Sequence, residues 1–480
     1  MPGPDPQGGG AENCRRIVLI TVDSLRADAP GFCGGQCRTP HMDRLAEESV
    51  RYARAFASGA HTTQSFPGIL GSNYPTTGGT VQSFGERVSV AECLRAAGFR
   101  TGAIHSNPLL SRRKHYDRGF DTFWDSLPPS DGDAPPAERG SLFRRIGRRL
   151  TRRLPGLVGI ARRVRNRFRR RAIPLEQPHE PAEVITSRAV DWLREVGDTF
   201  FLWLHYMDPH WPYGTRLRTL GGAERESALR LSEKALKHPA RLTARELDRL
   251  RELYGKEVEY LDGRLGELFT FMREESVWKE TAVLLTADHG EAFMEHGTCF
   301  HGDLLYDELI HVPLVAKIPG LSPGEEPGVA SLIDLAPTLC ELAGVEVPDA
   351  FEGASLLSGR GREAAFAETA YRVFVSETPR RAAVRTADWK LIVDAERREE
   401  ELYHVASDPA EANDLLGENP KEATRLRKLL DRHQRRTRPR PPRREEKATG
   451  QEPGTEAVKA RLRALGYMDE LSRDRGDDTR

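Results

Sequence analysis

Three apolar, β-branched runs each stop on titratable side chains: "RIVLITVDS" (16–24) on Asp23, "FLWLHYMDPH" (201–210) on His205, Asp208 and His210, and "TAVLLTADHGE" (281–291) on Asp288 and His289. A short apolar run of this kind reads as a strand covered on both faces. Between the runs the spacing turns helical. "TPHMDRLAEESVRY" repeats apolar residues at Met42, Leu45 and Val50, "VSVAECLRAAGFRTGAIHSN" reads as helix then strand, and "ELYGKEVEYLDGRLGELFTFMREE" as one long helix, with "HVPLVAKIPG" a further strand. Such alternation predicts an α/β fold, a mostly parallel sheet sandwiched by helices. Ligands gather at the carboxyl ends of the strands in sheets of this type, so Asp23, His105, His205, Asp208, His210, Asp288 and His289 are expected to converge on one site.

The chain has 480 residues, enough for one large domain with a smaller appendage. Its texture predicts a catalytic domain over 15–360. From about Glu363 the shorter alternating runs "AAVRTADWKLIVD" and "ELYHVASDP" predict a small C-terminal antiparallel subdomain over 361–431. A charged, proline-rich linker follows over 432–455, then a helix and tail over 456–480. Six scattered cysteines and an N-terminus without an apolar core segment predict reduced thiols and a cytoplasmic protein. Cys33 and Cys37 form a lone C-x-x-x-C, weak as a metal signature. No run reaches the ~18 apolar residues a membrane span needs, which leaves peripheral lipid contact only.

Acidic and basic residues balance at 72 each, but fourteen arginines fall between Arg139 and Arg171 with no carboxylate from Gly140 to Leu175. Within this insertion Phe143, Ile146, Leu150 and Leu154 recur at helical spacing, and Pro155-Gly156 precedes a second segment through Ile160, Val164 and Phe168. Two short basic amphipathic helices are expected. Over 141–171 they suit the surface of an anionic membrane or another polyanion, and equally a solvated lid over the site. Little aromatic interleaving makes nucleic acid an unfavoured partner.

Asp23 with Asp288 and His289 supplies two carboxylates and an imidazole, a donor set for one divalent cation with an open face. Thr62, in "SGAHTTQSFPGILGSNYP" (58–75), gains a role beside such a cation, because a coordinated hydroxyl loses its proton far more readily and becomes a nucleophile. A helix is expected to begin near Ser65, with free N–H groups for an anionic substrate. The alternative is that Thr62 or Thr63 merely caps that helix.

"IVLITVDSLRAD", "TPHMDRLAEESVRYARAFA", "SFPGILGSNYP", "FLWLHYMDPHWPY", "LLTADHGEAFMEHG", "YDELIHVPLVAKIPG", "SLIDLAPTLCELAGV" and "DWKLIVDAERREEELYHVASDPAEANDL" together resemble the successive signatures of the sulfatase family, within the alkaline-phosphatase superfamily, across roughly residues 15–416. The resemblance implies that Asp23, Asp288 and His289 ligate the metal together with Thr62, which falls on the nucleophile position, with Thr63 as the fallback. It also implies that His210 and His301 contact the transferred group or protonate the leaving oxygen. His105, Asn107, His205 and Thr63 are the candidate substrate contacts, and the partner so implied is an anionic ester.

Departures from the family pattern narrow the chemistry. Sulfatases carry Cys or Ser in a C/S-x-P-S-R signature and convert it to formylglycine, whereas this chain reads Thr62, Thr63, Gln64, Ser65, Phe66. No formylglycine forms on threonine. Phe66 replaces the arginine, and Ser24 replaces the second aspartate of the usual pair. Threonine here resembles the phosphodiesterase, pyrophosphatase and phosphoglycerol-transferase branches, in which it attacks phosphorus. The expectation is thus a metal-dependent hydrolase or transferase of sulfate or phosphate esters, phosphoester favoured, working by in-line attack of threonine. The alternatives are a sulfuric ester hydrolase without formylglycine and a non-catalytic adaptor. Mn²⁺, Mg²⁺, Zn²⁺ and Ca²⁺ all remain candidates, and Asp208, His210 and His301 could furnish a second metal.

Overall fold

A computed structural model describes residues 13–77, 83–127, 179–214, 220–359, 361–369 and 380–437, and all of these except Ser126, Leu127 and His179 fall in one compact unit. The arginine-rich insertion, the linker beyond Thr437 and the tail over 456–480 lie outside the described residues. Among those described, nine strands form one sheet. At its centre β1 (Arg16–Val22) runs parallel to β5 (Phe200–Tyr206) on one side and to β6 (Thr281–Ala287) on the other. Beyond β5 the parallel order continues through β3 (Arg100–His105) and β4 (Thr122–Trp124).

After β6 the chain forms the short antiparallel pair β7 (Ala292–Phe293) and β8 (Cys299–Phe300) and the one-turn helix α7 (Asp307–Ile310), and the other edge of the large sheet is mixed. Next to β6 comes the antiparallel β10 (Leu314–Lys317), then β2 (Val50–Phe56) and β11 (Gly324–Ser331), a parallel pair, with β9 (His311–Val312) antiparallel on β2. β5 and β6 are buried at every position and β1 at all but its first residue, so alternate side chains point into two covered faces rather than one. Val50, assigned on periodicity to a helix, instead opens β2. The helix α1 (Pro40–Glu47) stops before it, with Met42, Leu45 and Ala46 as its buried stripe.

Helices cover the sheet in two groups. α4 (Ala182–Glu195), α5 (Gly222–Lys237) and α1 pack on the long α6 (Ala244–Glu274), while α2 (Thr62–Gly71), α3 (Val90–Ala96) and α8 (Leu335–Leu342) pack on one another. Thr243 and Glu246 form a capping box that starts α6. From there Leu250, Leu253, Val258, Leu261, Leu265, Phe269 and Met272 keep one apolar stripe against the sheet. Asp262, on the same helix, accepts hydrogen bonds from His41 N (3.2 Å) and Met42 N (2.8 Å) and so closes the N-terminus of α1. No helix among the described residues is long and apolar enough to cross a membrane. The cysteines stand as free thiols.

A second sheet, antiparallel β12 (Ala365–Thr369), β13 (Arg381–Arg385), β14 (Lys390–Asp394) and β15 (Glu399–Tyr403), matches the subdomain read from the sequence. The helix α9 (Pro420–Thr437) covers it with Ala423, Leu426, Leu429 and Leu430. Residues 432–437 are therefore helical and not linker, because that apolar stripe carries through to His433 and Thr437.

Lys390, fully buried on β14, ties this sheet to the segment leading from β6. Its Nζ lies 2.8 Å from Asp307 Oδ1 and 2.7 Å from Glu411 Oε1, and Arg385 Nε lies 3.1 Å from Asp307 Oδ2. Removing one partner from such a group leaves buried charge uncompensated. Lys390→Ala is expected to lower unfolding stability by about 3–5 kcal/mol in urea titration. A loss below about 1 kcal/mol would show that the four groups do not depend on one another.

Candidate metal and ester-hydrolysis site

The strand order sets the site before any side chain is considered. In the parallel centre of the sheet Thr21 stands beside His205 and Thr286, and His105 beside His205. Two residues further, where the strands end, Asp23 and Asp288 emerge next to each other. Asp23 N donates to Tyr206 O (2.8 Å) and Asp288 N to Val22 O (3.2 Å), so the ladder itself carries both carboxylates to one edge. Asp23, Asp288 and His289, all buried, offer ligand atoms within 4.8 Å of one another.

Burial opposes ionisation at both acids. Around Asp23 the imidazoles of His210, His205 and His289 outweigh that effect and hold its carboxyl well below the usual range. Asp288 goes the other way: burial first, then the charge on Asp23, pushes it well above. Two adjacent buried carboxyls that cannot both ionise favour a cation between them. The donor atoms fit one as well. His289 Nδ1–H donates to Gly290 O (2.8 Å), which leaves the lone pair on Nε2, and neither that atom nor Asp288 Oδ2 has a hydrogen-bond partner by geometry among the described residues.

Thr62 is the first residue of α2, fully buried, and its Oγ1 donates to Asp23 Oδ2 at 3.4 Å. The helix starts at Thr62 rather than near Ser65, and neither threonine is its cap. His61 is: its Nδ1 accepts from Thr63 N (3.3 Å) and lies 3.1 Å from Thr63 Oγ1. Thr63 is thus turned to His61, and Thr62 to the carboxylates. Asn107 Nδ2 donates to Asp23 Oδ2 at 3.0 Å, and Ser24 Oγ donates to Asp23 Oδ1 at 2.9 Å.

His301 and His210 join from two other segments. His301 Nδ1 lies 2.9 Å from Glu291 Oε1 and 3.4 Å from Ser24 Oγ, and its ring centroid is 4.4 Å from that of His289 and 4.9 Å from that of His210. His210 Nδ1–H donates to Trp211 O (2.6 Å), and burial pushes its pKa down to about 4, so the imidazole is neutral. Glu291 is fully buried, pushed up to about 8 by burial, and takes a hydrogen bond from Tyr213 Oη (2.7 Å).

His105 stands apart from this cluster. Its ring packs between Phe123 and Trp203, with centroids 5.1 and 5.2 Å away, neither nitrogen has a hydrogen-bond partner among the described residues, and burial holds its pKa well below the usual value. Asp208, a candidate for a second metal, accepts instead from Ala182 N (3.0 Å) at the start of α4. Phe66 occupies no polar position. It is buried against Trp203, His205 and Tyr116. Two participants escaped the sequence reading, His61 and Glu291. The signal for the first was its place directly before the two threonines, and for the second its place at the end of "TADHGE".

With this geometry in view the comparisons are direct. The sulfatase family profile matches residues 15–345, well over half of the chain, and a profile described as N-sulphoglucosamine sulphohydrolase, C-terminal, matches residues 294–438. The chain belongs to the sulfatase family. Arylsulfatase K of Mus musculus is 28% identical over 277 residues, 49% of this chain and 50% of its own, so the chain spans about half the length of that relative. An N-acetylglucosamine-6-O-sulfatase of Bacteroides thetaiotaomicron is 23% identical over 525 aligned positions, 90% of this chain and 88% of that one. Among solved structures, the phosphonate monoester hydrolase of Agrobacterium radiobacter shares the fold with a TM-score of 0.64 at 20% identity, covering 87% of this chain and 95% of that one. So does a protein solved with its substrate D-glucosamine-2-N,6-O-disulfate, with a TM-score of 0.66 at 19% identity over 88% and 98%.

One residue of the site tolerates no side chain. A Cβ on Gly290 would lie 2.1 Å from Glu308 O, inside any permitted contact, and Gly290 N already donates to Leu309 O (2.8 Å). Gly290→Ala must therefore displace His289 and Glu291 together. Added Mn²⁺ is expected to raise the melting temperature of the parent protein and to leave that of Gly290→Ala unchanged. Equal metal-induced shifts would contradict the placement of His289.

Proposed function

We propose that this protein is a metal-dependent hydrolase of singly charged tetrahedral esters, with a phosphodiester or phosphonate monoester as substrate and Thr62 as nucleophile. The observation that carries the reading is the Thr62 hydroxyl facing Asp23 at the edge where Asp288 and His289 also meet. A divalent cation held by Asp23, Asp288 and His289 would supply positive charge that acidifies a neighbouring hydroxyl and stabilises charge on the transferred group. Its imidazole donor favours Mn²⁺ or Zn²⁺ over the all-oxygen preference of Ca²⁺.

Thr62 Oγ1 attacks the central atom and forms a bond to it while the ester bond to the leaving alcohol breaks. His301, paired through Nδ1 with Glu291, gives the proton to the leaving oxygen. The proton of the Thr62 hydroxyl passes to solvent in this first step; water then attacks the same centre and returns a proton to His301, and the Thr62 oxygen leaves and recovers a proton from solvent. Asn107 Nδ2 supplies a donor for the remaining oxygens, and neither it nor the neutral His210, whose one N–H is engaged by Trp211 O, adds charge. That neutrality supports a monoanionic substrate, because Phe66 brings no guanidinium to offset a second negative charge.

The second displacement also favours phosphorus. A threonine ester has no geminal hydroxyl from which the transferred group could be expelled by elimination, so the covalent intermediate must be cleaved at its central atom. A sulfate ester is the second reading, and it is the names of the relatives that favour it. A peripheral role for the basic stretch over 141–171 on anionic membranes, and a cytoplasmic location, stand as proposals from sequence alone.

Purified protein with Mn²⁺ is expected to turn over bis-p-nitrophenyl phosphate and a phosphonate monoester faster than p-nitrophenyl phosphate or p-nitrophenyl sulfate. Thr62→Ala is expected to lose on the order of 10⁴–10⁶-fold in kcat. Parent enzyme quenched during turnover of bis-p-nitrophenyl phosphate should carry one p-nitrophenyl phosphoryl group on Thr62 by mass spectrometry. Sulfate turnover that survives in Thr62→Ala would overturn the assignment.

A further inference from the structure

His205 reads from the sequence as a substrate contact, yet it is fully buried on β5 beneath the strand ends. Each of its ring nitrogens has a defined neighbour. Nδ1 lies 3.0 Å from Thr21 Oγ1, and Nε2 lies 3.4 Å from Asp23 Oδ2. Thr21 in turn receives a hydrogen bond from Trp203 Nε1 at 3.0 Å. Trp203, Thr21, His205 and Asp23 form one continuous buried line.

The direction of that line follows from the donor inventory. An indole N–H only donates and an ionised carboxylate only accepts, so the two ends are set. The single proton of Thr21 has two acceptors in reach, His205 Nδ1 at 3.0 Å and Leu204 O at 3.1 Å. If it went to Leu204 O, neutral His205 would carry its hydrogen on Nδ1 and turn a bare Nε2 lone pair toward Asp23 Oδ2. In a buried site that contact is repulsive. Given to Nδ1, the proton places the imidazole hydrogen on Nε2, between His205 and the carboxylate, and every step of the line becomes a donor meeting an acceptor.

We propose that His205 is a positioning residue, held by Trp203 and Thr21 with Nδ1 as acceptor and its hydrogen on Nε2, which fixes the Asp23 carboxylate in the orientation its cation requires. Resting on the metal-site reading above, the assignment explains the crowding of Asp23. Its Oδ2 accepts from Asn107 Nδ2 (3.0 Å) and Thr62 Oγ1 (3.4 Å) and lies 3.4 Å from His205 Nε2, while Oδ1 accepts from Ser24 Oγ (2.9 Å) and lies 3.7 Å from His289 Nε2. The carboxylate cannot turn without breaking one of these. The assignment also gives Phe66 a task. Its ring meets the His205 ring edge-on, at 5.0 Å and 87°, and its neighbour Trp203 at 5.3 Å, so the residue that replaces an arginine clamps the imidazole in place.

The test starts with metal-free, full-length protein labelled with ¹⁵N-histidine, whose long-range proton–nitrogen correlations report each tautomer, with His205→Gln identifying the signal. His205 is expected to show a protonated Nε2 and an acceptor Nδ1. Thr21→Val, which removes the hydroxyl at equal volume, is expected to abolish that pattern and to weaken Mn²⁺ binding in calorimetry by roughly 10–100-fold. Thr21→Ser should restore both. A Nδ1–H tautomer or an imidazolium in the parent protein would overturn the proposal, as would unchanged Mn²⁺ affinity in a folded Thr21→Val. Parent protein that binds no Mn²⁺ would instead remove the metal reading, and the tautomer, read without metal, would still decide the role of His205.

Discussion

Two carboxylates forced side by side out of water shape this molecule. Asp23 and Asp288 end neighbouring parallel strands, and the same backbone hydrogen bonds that close the ladder bring them together. Among the described residues no arginine or lysine pairs with either of them. Burial opposes ionisation at both; at Asp23 the imidazoles of His210, His205 and His289 offset it, and at Asp288 the Asp23 carboxylate adds to it. An arrangement of this kind is costly unless a cation completes it, because like charges in a desolvated site suppress each other's ionisation. The rest of the fold serves to hold that arrangement still.

Support reaches the pair from three directions. α2 begins under the site, with His61 capping it and Thr62 aimed at Asp23. The segment after β6 folds back through Glu291 and His301, and the C-terminal sheet grips that segment through Lys390 and Asp307. Behind the carboxylates lies the line from Trp203 to His205. The departures from the family signature then read as one change. The resemblance read from the sequence implies that Ser24 and Phe66 stand where the family carries an acid and a base, so that a negative and a positive charge would leave together.

Much of this was legible in the residues. The apolar runs announced β1, β5 and β6, and what stops each run announced Asp23, Asp288 and His289. Parallel strands in register must place those residues at one edge. The two threonines were legible as neighbours of a helix start, but their orientation was not, since only the cap at His61 determines which of the two hydroxyls faces the acids. His205 and His105 looked alike as strand-end histidines. Thr21 and Asp23 flank one, and aromatic rings enclose the other, a difference set by neighbours far away in the chain. Val50 misled for the same reason. A β-branched residue at helical spacing follows tertiary pairing, here with Ala316 of β10 and Gly324 of β11, over local periodicity.

Anomalous diffraction from crystals soaked in Mn²⁺ bears most directly on the whole account. The strongest peak should fall within coordination distance of Asp23, Asp288 and His289, with the Thr62 oxygen completing the same ion. A peak centred elsewhere, or one that leaves Thr62 outside the coordination sphere, would contradict it.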